Sequence, residues 1–178
     1  MMAAPQRNPE EAFANEAFDA MLSATARPGQ IETLPAGEFG PVIAALIDRE
    51  CTFFASDEVL IQQLGETGAR FTPVGEADFV FCDVDEVPAI LPKVKIGSDL
   101  YPDDGATLIV AAGVAQGDKL RLSGPGIKGH DDVMVAGFDR AVWDHRARQI
   151  RYPTGFDMLI VDGAQLMALP RSTTVEVL

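Results

Sequence analysis

The sequence of 178 residues is poor in positive charge and in long apolar segments. It has 14 Lys and Arg against 27 Asp and Glu, which gives a formal net charge of −13 at pH 7. Proteins that hold nucleic acid or an anionic membrane surface by charge use Lys and Arg, so this balance argues against both partners. No stretch approaches the roughly 18 apolar residues that span a bilayer, and the first residues lack the apolar segment of a signal peptide.

Cysteine is scarce as well, with only Cys51 and Cys82 in the chain. Each lies inside an apolar run, where a cysteine is usually a buried free thiol, although a disulfide between the two is the alternative. Free thiols suit a reducing compartment, so we expect a cytoplasmic protein.

Several motifs that carry common chemistries are absent. The chain has no GxxxxGK[ST] phosphate loop and no GxSxG nucleophile turn. His130 and His145 lack the spacing of a zinc pair, and neither cysteine is near them. None of the four lysines stands out as a Schiff-base residue. The sequence predicts no metal and no cofactor, and it leaves the catalytic residues unknown.

Helical and strand patterns alternate along the first half of the chain. A helix begins at Asn8-Pro9, where Asn caps the free amides and Pro fits the first turn, and it ends near Arg27-Pro28-Gly29. Further helices are predicted around residues 42–47 and 57–64, with strands at 30–34, 52–55, 69–72 and 78–83. Residues 84–104 contain three prolines and are predicted to be a connecting loop with a short helix.

Strands dominate the second half. Residues 107–112 form a continuous apolar run, typical of a strand buried on both faces, and residues 119–123 alternate like a half-buried strand. A helix carries Trp143 and His145, and an apolar hairpin follows it. The patterns together predict one α/β domain over residues 1–178, with a mixed central sheet flanked by helices.

The run GPGIKG at residues 124–129 matches GxGxxG and follows a strand. The amides of Gly124 and Gly126 are candidates for contact with an anion, because a glycine turn lets backbone amides approach a phosphate. A poor helical sequence follows, and no acid lies about twenty residues on to hold a ribose. A tight turn between strands is therefore favoured over a dinucleotide site.

Acidic pairs and one acid at a strand start also have two interpretations each. Asp103-Asp104 and Asp131-Asp132 fit solvated turns better than a cation or acid–base site. Asp157 follows Pro-Thr-Gly at the start of a strand, where a carboxylate can cap loop amides or serve a site.

Three arginines lie in turn-rich settings: Arg27, Arg121 and Arg171. A guanidinium group suits phosphate, and each charge-assisted bond contributes roughly 1.5–3 kcal/mol. Salt bridges with the abundant carboxylates are the equal alternative. Arg171 follows Pro170 and precedes Ser172, Thr173 and Thr174, so the final hairpin brings a cation and three hydroxyls to one end of a sheet.

Five segments in this order resemble a known family, the H subunit (PhnH) of the bacterial carbon–phosphorus lyase machinery. They are residues 18–29, 105–110, 120–127, 153–157 and 169–177, so the resemblance extends from the first helix to the C-terminus. It implies a cytoplasmic subunit of phosphonate catabolism that works with the G, I, J and K subunits. With G, I and L, the family is associated with transfer of ribose triphosphate from ATP to an alkylphosphonate.

The resemblance also implies a fold like that of the pyridoxal-phosphate-dependent transferases, without use of that cofactor, and a homodimer. The family's turns correspond to Arg27-Pro28-Gly29, Arg121 with Ser123 and Gly124, Asp157, and Arg171 with Thr173. Thr174 stands where relatives often have His, and a hydroxyl cannot act as a base near neutral pH as imidazole can.

Three hypotheses follow. The first is an accessory subunit of the carbon–phosphorus lyase core complex, with a slight catalytic role of its own. The second is a stand-alone enzyme or binding protein for a phosphate- or phosphonate-bearing molecule, held by Arg27, Arg121, Arg171 and Ser123. The acidic charge favours the first, because an enzyme for a polyanion normally attracts it with positive potential. A generic dimeric scaffold is a third reading.

Overall fold

The apolar run predicted to be a buried strand forms β5 (Thr107–Ala111) at the centre of the larger sheet in the computed structural model, which describes residues 8–178. Leu108, Ile109 and Val110 are fully buried, because helices or a second sheet cover both faces of β5. The α/β architecture with a mixed central sheet is confirmed. The first seven residues of the predicted domain 1–178 lie outside the described residues.

The remaining helices and strands follow the predicted order closely. The helices are α1 (Pro9–Ala26), α2 (Gly40–Leu46), α3 (Glu58–Glu66), α4 (Val87–Ile90) and α5 (Arg140–Gln149). The other strands are β1 (Ile31–Thr33), β2 (Thr52–Ala55), β3 (Arg70–Phe71), β4 (Phe79–Asp83), β6 (Val114–Ser123), β7 (Asp131–Val135), β8 (Asp157–Asp162), β9 (Gln165–Leu169) and β10 (Thr174–Val177).

Local signals explain the helix ends. The Asn8 side chain accepts a hydrogen bond from the amide of Glu10, and Asp57 accepts one from the amide of Leu60 at the start of α3. Both are the N-terminal caps that the sequence predicts. In the proline-rich segment 84–104, α4 is accompanied by single turns of 3-10 helix, which confirms a connection with a short helix.

The seven-stranded sheet has the order β1-β9-β8-β5-β4-β2-β3. The strands β8, β5, β4, β2 and β3 are parallel, whereas at one side β9 pairs antiparallel with β8, and β1 pairs antiparallel with β9. From β2 the chain crosses to β3 on one side, and from β4 it proceeds through β5 to β8 on the other. The direction of winding therefore reverses between β2 and β4. In open α/β sheets, ligands bind at such a reversal, outside the carboxyl ends of the strands.

A second sheet, which the sequence did not predict, has three antiparallel strands in the order β10-β6-β7. Residues 131–135 form β7, so the glycine run 124–129 is the turn between two strands, as predicted. The C-terminal segment leaves the hairpin β8–β9 in the large sheet and enters the small sheet as β10. The final residues therefore connect the two sheets.

Two apolar cores lie on opposite faces of the large sheet. One is formed with α1, α2 and α3 and contains Leu64 and Phe81. The other is formed with α4, α5 and the small sheet and contains Leu122 and Trp143. The helix after β2 and the helix after β4 thus cover opposite faces, which is the arrangement that opens a crevice between these two strands.

Arg146 of α5 attaches this helix to the segment where the chain changes sheets. Its side chain is buried, yet no carboxylate of residues 8–178 pairs with it directly. The guanidinium donates to the carbonyls of Leu169, Pro170 and Thr173 at 3.3, 2.9 and 3.0 Å. Burial lowers the pKa of Arg146 to about 10, which leaves the group charged at neutral pH. Arg146 therefore fixes the turn between β9 and β10.

We expect Arg146→Met to lower the free energy of unfolding by about 2–4 kcal/mol, because buried carbonyls lose a charged donor. Urea denaturation followed by circular dichroism measures the change. Arg148→Met is the matched control, since Arg148 is exposed on the same helix and should change the value by no more than about 0.5 kcal/mol. Equal losses for the two variants would contradict the role assigned to Arg146.

Candidate functional site

Two of the predicted site residues, Asp157 and Arg171, form an ion pair at the amino ends of the parallel strands. The Arg171 Nη2 lies 2.7 Å from the Asp157 Oδ2, and the Arg171 Nε also donates to the carboxylate. The backbone amide of Arg171 donates to the Asp157 Oδ1 at 2.7 Å. Asp157 thus caps a loop amide, one of the two roles that its position suggested.

Further bonds hold the Arg171 guanidinium against the segment before β5. Nη1 donates to the Pro102 carbonyl at 2.6 Å, and Nη2 donates to the Gly105 carbonyl at 3.2 Å. A side chain at Gly105 would collide with the Gly155 backbone and the Arg171 guanidinium, so glycine is needed there. Most donors of Arg171 are therefore used within the chain.

The predicted glycine turn lies between two other predicted turns. A side chain at Gly126, where φ is +84°, would meet the Ala26 carbonyl and the Pro28 ring, and Gly124 lies against the Ser172 carbonyl. The fold thus brings the Arg27 turn, the glycine turn and residues 172–173 together. They pack directly against one another.

The other two arginines also face carboxylates. The Arg121 Nε and Nη2 donate to Asp132 at 2.9 and 3.1 Å, and Lys119 lies 2.9 Å from the same carboxylate. The hydrogen bonds from Arg121 and Lys119 hold the pKa of Asp132 well below its usual range. The Arg27 guanidinium, more than half exposed, lies 3.5 Å from Glu32.

The two hydroxyl positions differ in exposure. Thr173 is buried in the turn that Arg146 holds, whereas Ser123 is half-buried and pairs with Thr174 across the small sheet. Anion binding by Arg27, Arg121, Arg171 and their neighbours stays a prediction, and each guanidinium would have to exchange its carboxylate for the anion.

A cavity of about 600 Å³ lies at the opposite edge of the sheet, outside the carboxyl ends of β2, β4, β5 and β8. This is where the winding direction reverses. The wall includes Ser56 and Asp57 after β2, Cys82 and Asp83 at the end of β4, and Gly163 after β8. The cavity therefore has the position at which α/β sheets normally bind ligands.

The floor and the rim of this cavity differ in polarity. Phe81 and Val161 are buried at the floor, with Ala111 beside them. Four carboxylates line the cavity nearer to solvent, and no Lys or Arg does so among the residues that the structure describes; the acids are Glu38, Asp57, Asp83 and Glu86. Such a site disfavours phosphate and favours a group with an apolar part and positive charge.

The pKa of the Cys82 thiol, in the cavity wall, reflects its burial and the nearby carboxylates. Burial, together with the charges of Glu86 and Asp83, raises the pKa of the Cys82 thiol to about 12. Glu38, on the rim, has a left-handed backbone with φ of +64°, which is uncommon for a residue with a side chain. Its amide donates to the Gly163 carbonyl at 2.8 Å, which holds this loop at the mouth.

Sequence reasoning did not select the cavity acids or Arg146 as important. Asp57 follows the parallel strand β2 and Asp83 ends the parallel strand β4, and site residues often lie at these positions, so the sequence did contain a signal. Arg146 occurs four residues after Val142 and therefore lies on the buried stripe of its helix. That spacing predicts that Arg146 is buried.

Within residues 8–178, no group of three or more His, Cys, Asp or Glu is placed to hold a metal ion. None of the helices in that range has the length and apolar character needed to cross a membrane. Cys51 and Cys82 are free thiols, as their apolar surroundings predicted, although Cys51 is only half-buried.

Comparison with known proteins gives consistent matches. The family model described as bacterial phosphonate metabolism protein (PhnH) matches residues 8–176. A putative C-P lyase subunit protein HtxG from Stutzerimonas stutzeri is 30% identical, over 89% of this chain and 84% of the relative. The alpha-D-ribose 1-methylphosphonate 5-triphosphate synthase subunit PhnH from Rhizobium meliloti (strain 1021) is 26% identical, over 93% of this chain and 94% of the relative.

We expect Arg171→Met to lower the free energy of unfolding by about 2 kcal/mol, because two carbonyls and a partly buried carboxylate lose their donor. The double variant Arg171→Met/Asp157→Asn should lose less than the sum of the single variants, because each single change breaks the same pair. Urea denaturation of the four proteins measures the coupling. Additive losses would show that the pair does not stabilise the fold.

We expect iodoacetamide at pH 8 to modify Cys51 while Cys82 resists. With a pKa of about 12, only about one Cys82 thiol in ten thousand is ionised at that pH, and burial blocks access as well. Mass spectrometry of proteolytic peptides measures each site, and the same reaction in urea, where both should react, is the control. Rapid modification of Cys82 in the native protein would contradict the structure at the cavity wall.

Proposed function

This chain belongs to the PhnH family of bacterial phosphonate metabolism proteins, and we propose that it is a subunit of the carbon–phosphorus lyase core complex. In that role it is needed with partner subunits for the transfer of ribose triphosphate from ATP to an alkylphosphonate. The observation that carries this proposal is the family match over residues 8–176. Two relatives support it, a putative C-P lyase subunit and a triphosphate synthase subunit, because the match covers most of the length of each.

Within this proposal the chain is an accessory subunit. Its three predicted anion-binding arginines are each paired with a carboxylate, and the cavity at the carboxyl edge of the sheet has an acidic rim. Both observations favour a contribution to assembly over direct handling of a triphosphate. The net charge of −13 also suits a subunit that docks onto basic partners.

The finer features of the proposal come from the family resemblance. They are a cytoplasmic location, a homodimer, assembly with the G, I, J and K subunits, and a fold like that of the pyridoxal-phosphate-dependent transferases without that cofactor. Pyridoxal phosphate chemistry requires a lysine at the cofactor. Among the described residues, no lysine lines the cavity.

A stand-alone enzyme or binding protein for a phosphate- or phosphonate-bearing molecule is the alternative. It requires Arg27, Arg121 and Arg171 to release their carboxylates. The Arg171 pair opposes this most strongly, because its guanidinium side chain is only 15% exposed and also donates to two backbone carbonyls. The subunit proposal needs no such rearrangement.

We expect this chain, co-expressed with the G, I and J subunits of the same genome, to co-purify with them as one complex. We also expect ATP and methylphosphonate to release adenine in a mixture of the G, I and L subunits only when this chain is added. Chromatography and quantified adenine measure the two outcomes.

The chain alone is the control and should release no adenine and bind neither ATP nor methylphosphonate in isothermal titration. A chain that never co-purifies, or full activity in its absence, would overturn the proposal. Tight binding of methylphosphonate to the isolated chain, abolished by Arg171→Ala, would support the alternative.

A further inference from the structure

The proposed function assigns no role to the acid-rimmed cavity. It lies at the carboxyl edge of the sheet, opposite the Asp157–Arg171 pair at the amino edge. Its volume of about 600 Å³ is ample for one or two side chains of another protein. Its lining residues come from several separate segments, so the complete fold forms it.

The floor of the cavity suits an apolar side chain. Phe81 and Val161 are buried there, and the small side chain of Ala111 lines the cavity with them. Phe39 and Leu60, half-buried on the walls, add further apolar surface. A side chain such as Leu, Met or Phe placed there would lose its contact with water, which is how the anchor residues of protein interfaces contribute most of the binding energy.

The rim suits positive charge. Asp57 and Glu86 use part of their carboxylates as helix caps, since Asp57 accepts from the Leu60 amide and Glu86 accepts from the Asp83 amide. A carboxylate has about four lone-pair sites, so capping leaves acceptors free and the charge intact. Glu38 and Asp83 are exposed at the mouth. A nucleotide or another polyanion would be repelled here.

An exposed apolar residue also lies at the mouth. Val59, at the start of α3, is 75% exposed, although it is beside the acidic rim. A small cationic molecule in the cavity would leave Val59 in water, whereas a peptide segment crossing the mouth would cover it. Apolar surface framed by charges is typical of protein interfaces.

We propose that this cavity is the docking site for a basic segment of a partner subunit, in which an apolar anchor side chain contacts the floor and flanking Lys or Arg side chains pair with the rim carboxylates. This inference rests on the proposed function, because it takes the partner to be another subunit of the complex. The negative rim attracts the segment from a distance, and the floor holds it once bound.

Neutralising the rim tests the charge. We expect Glu38→Gln/Glu86→Gln to slow association with the G, I and J subunits about tenfold at low salt, and less at high salt, because rim charges act mainly on the association rate. Gln at position 86 can still accept the capping bond from the Asp83 amide. Biolayer interferometry against the assembled partner subunits measures the rates.

Glu50→Gln/Glu66→Gln is the matched control. It makes the same change in net charge at two exposed acids outside the cavity lining, and it should leave the association rate nearly unchanged. Equal slowing by both pairs would mean that overall charge, rather than this rim, attracts the partner, and would overturn the inference.

Filling the floor tests the anchor. We expect Ala111→Leu to weaken binding tenfold or more at every salt concentration, because the added side chain occupies the space of the anchor without changing the charge. Thermal unfolding of each variant verifies the fold, and the Gln pair decides the outcome if Ala111→Leu is unfolded.

The outcomes separate this inference from the proposed function. A wild-type chain that forms no complex would overturn both. A wild-type complex that the Gln pair and Ala111→Leu form equally well would overturn the docking site alone. ATP binding that Ala111→Leu abolishes would overturn it as well, and would assign the cavity to a nucleotide.

Discussion

A buried cation, Arg146, joins helix α5 to the segment of the chain that connects the two sheets. Its guanidinium binds three carbonyls of residues 169–173, where the backbone leaves the large sheet and enters the small one. Helix α5, strand β9 and strand β10 thus meet at one side chain. Burial lowers the pKa of Arg146 to about 10 and the nearby Asp157 favours the charged form, so the group stays charged at neutral pH. These bonds, together with the apolar core that the two sheets share, hold the connection between the sheets.

The two edges of the central sheet have different roles. At the amino edge, the Asp157–Arg171 pair and the closely packed glycine turns fill the space between loops. At the carboxyl edge, the reversal between β2 and β4 leaves a cavity with an apolar floor. Of the residues in the family's turns, Asp157 and Arg171 lie at the first edge, where their ion pair holds neighbouring loops together. The cavity at the second edge is the one that we propose as a docking site for a partner subunit.

The sequence predicted the elements with local signals and missed the contacts between distant segments. The Asn8 cap defined α1, and the unbroken apolar run defined β5. Strand β7 was missed because DDVMV is short and its acids resemble a turn, and pairing between β6 and β10 joins residues about fifty positions apart, which no local pattern reveals. The carboxylate partners of the three arginines were equally hidden, since a chain with 27 acids offers each arginine many possible partners.

The way in which Arg171 is held has a consequence for proteolysis. A trypsin-like protease must take the basic side chain of its substrate into a pocket that ends in a carboxylate. In the folded chain that side chain is already bound to Asp157 and to the carbonyls of Pro102 and Gly105. The peptide bond after Arg171 is thus shielded, although it belongs to a turn. Cleavage should begin instead at exposed basic residues in turns, such as Lys128, and the bond after Arg171 should be cut later.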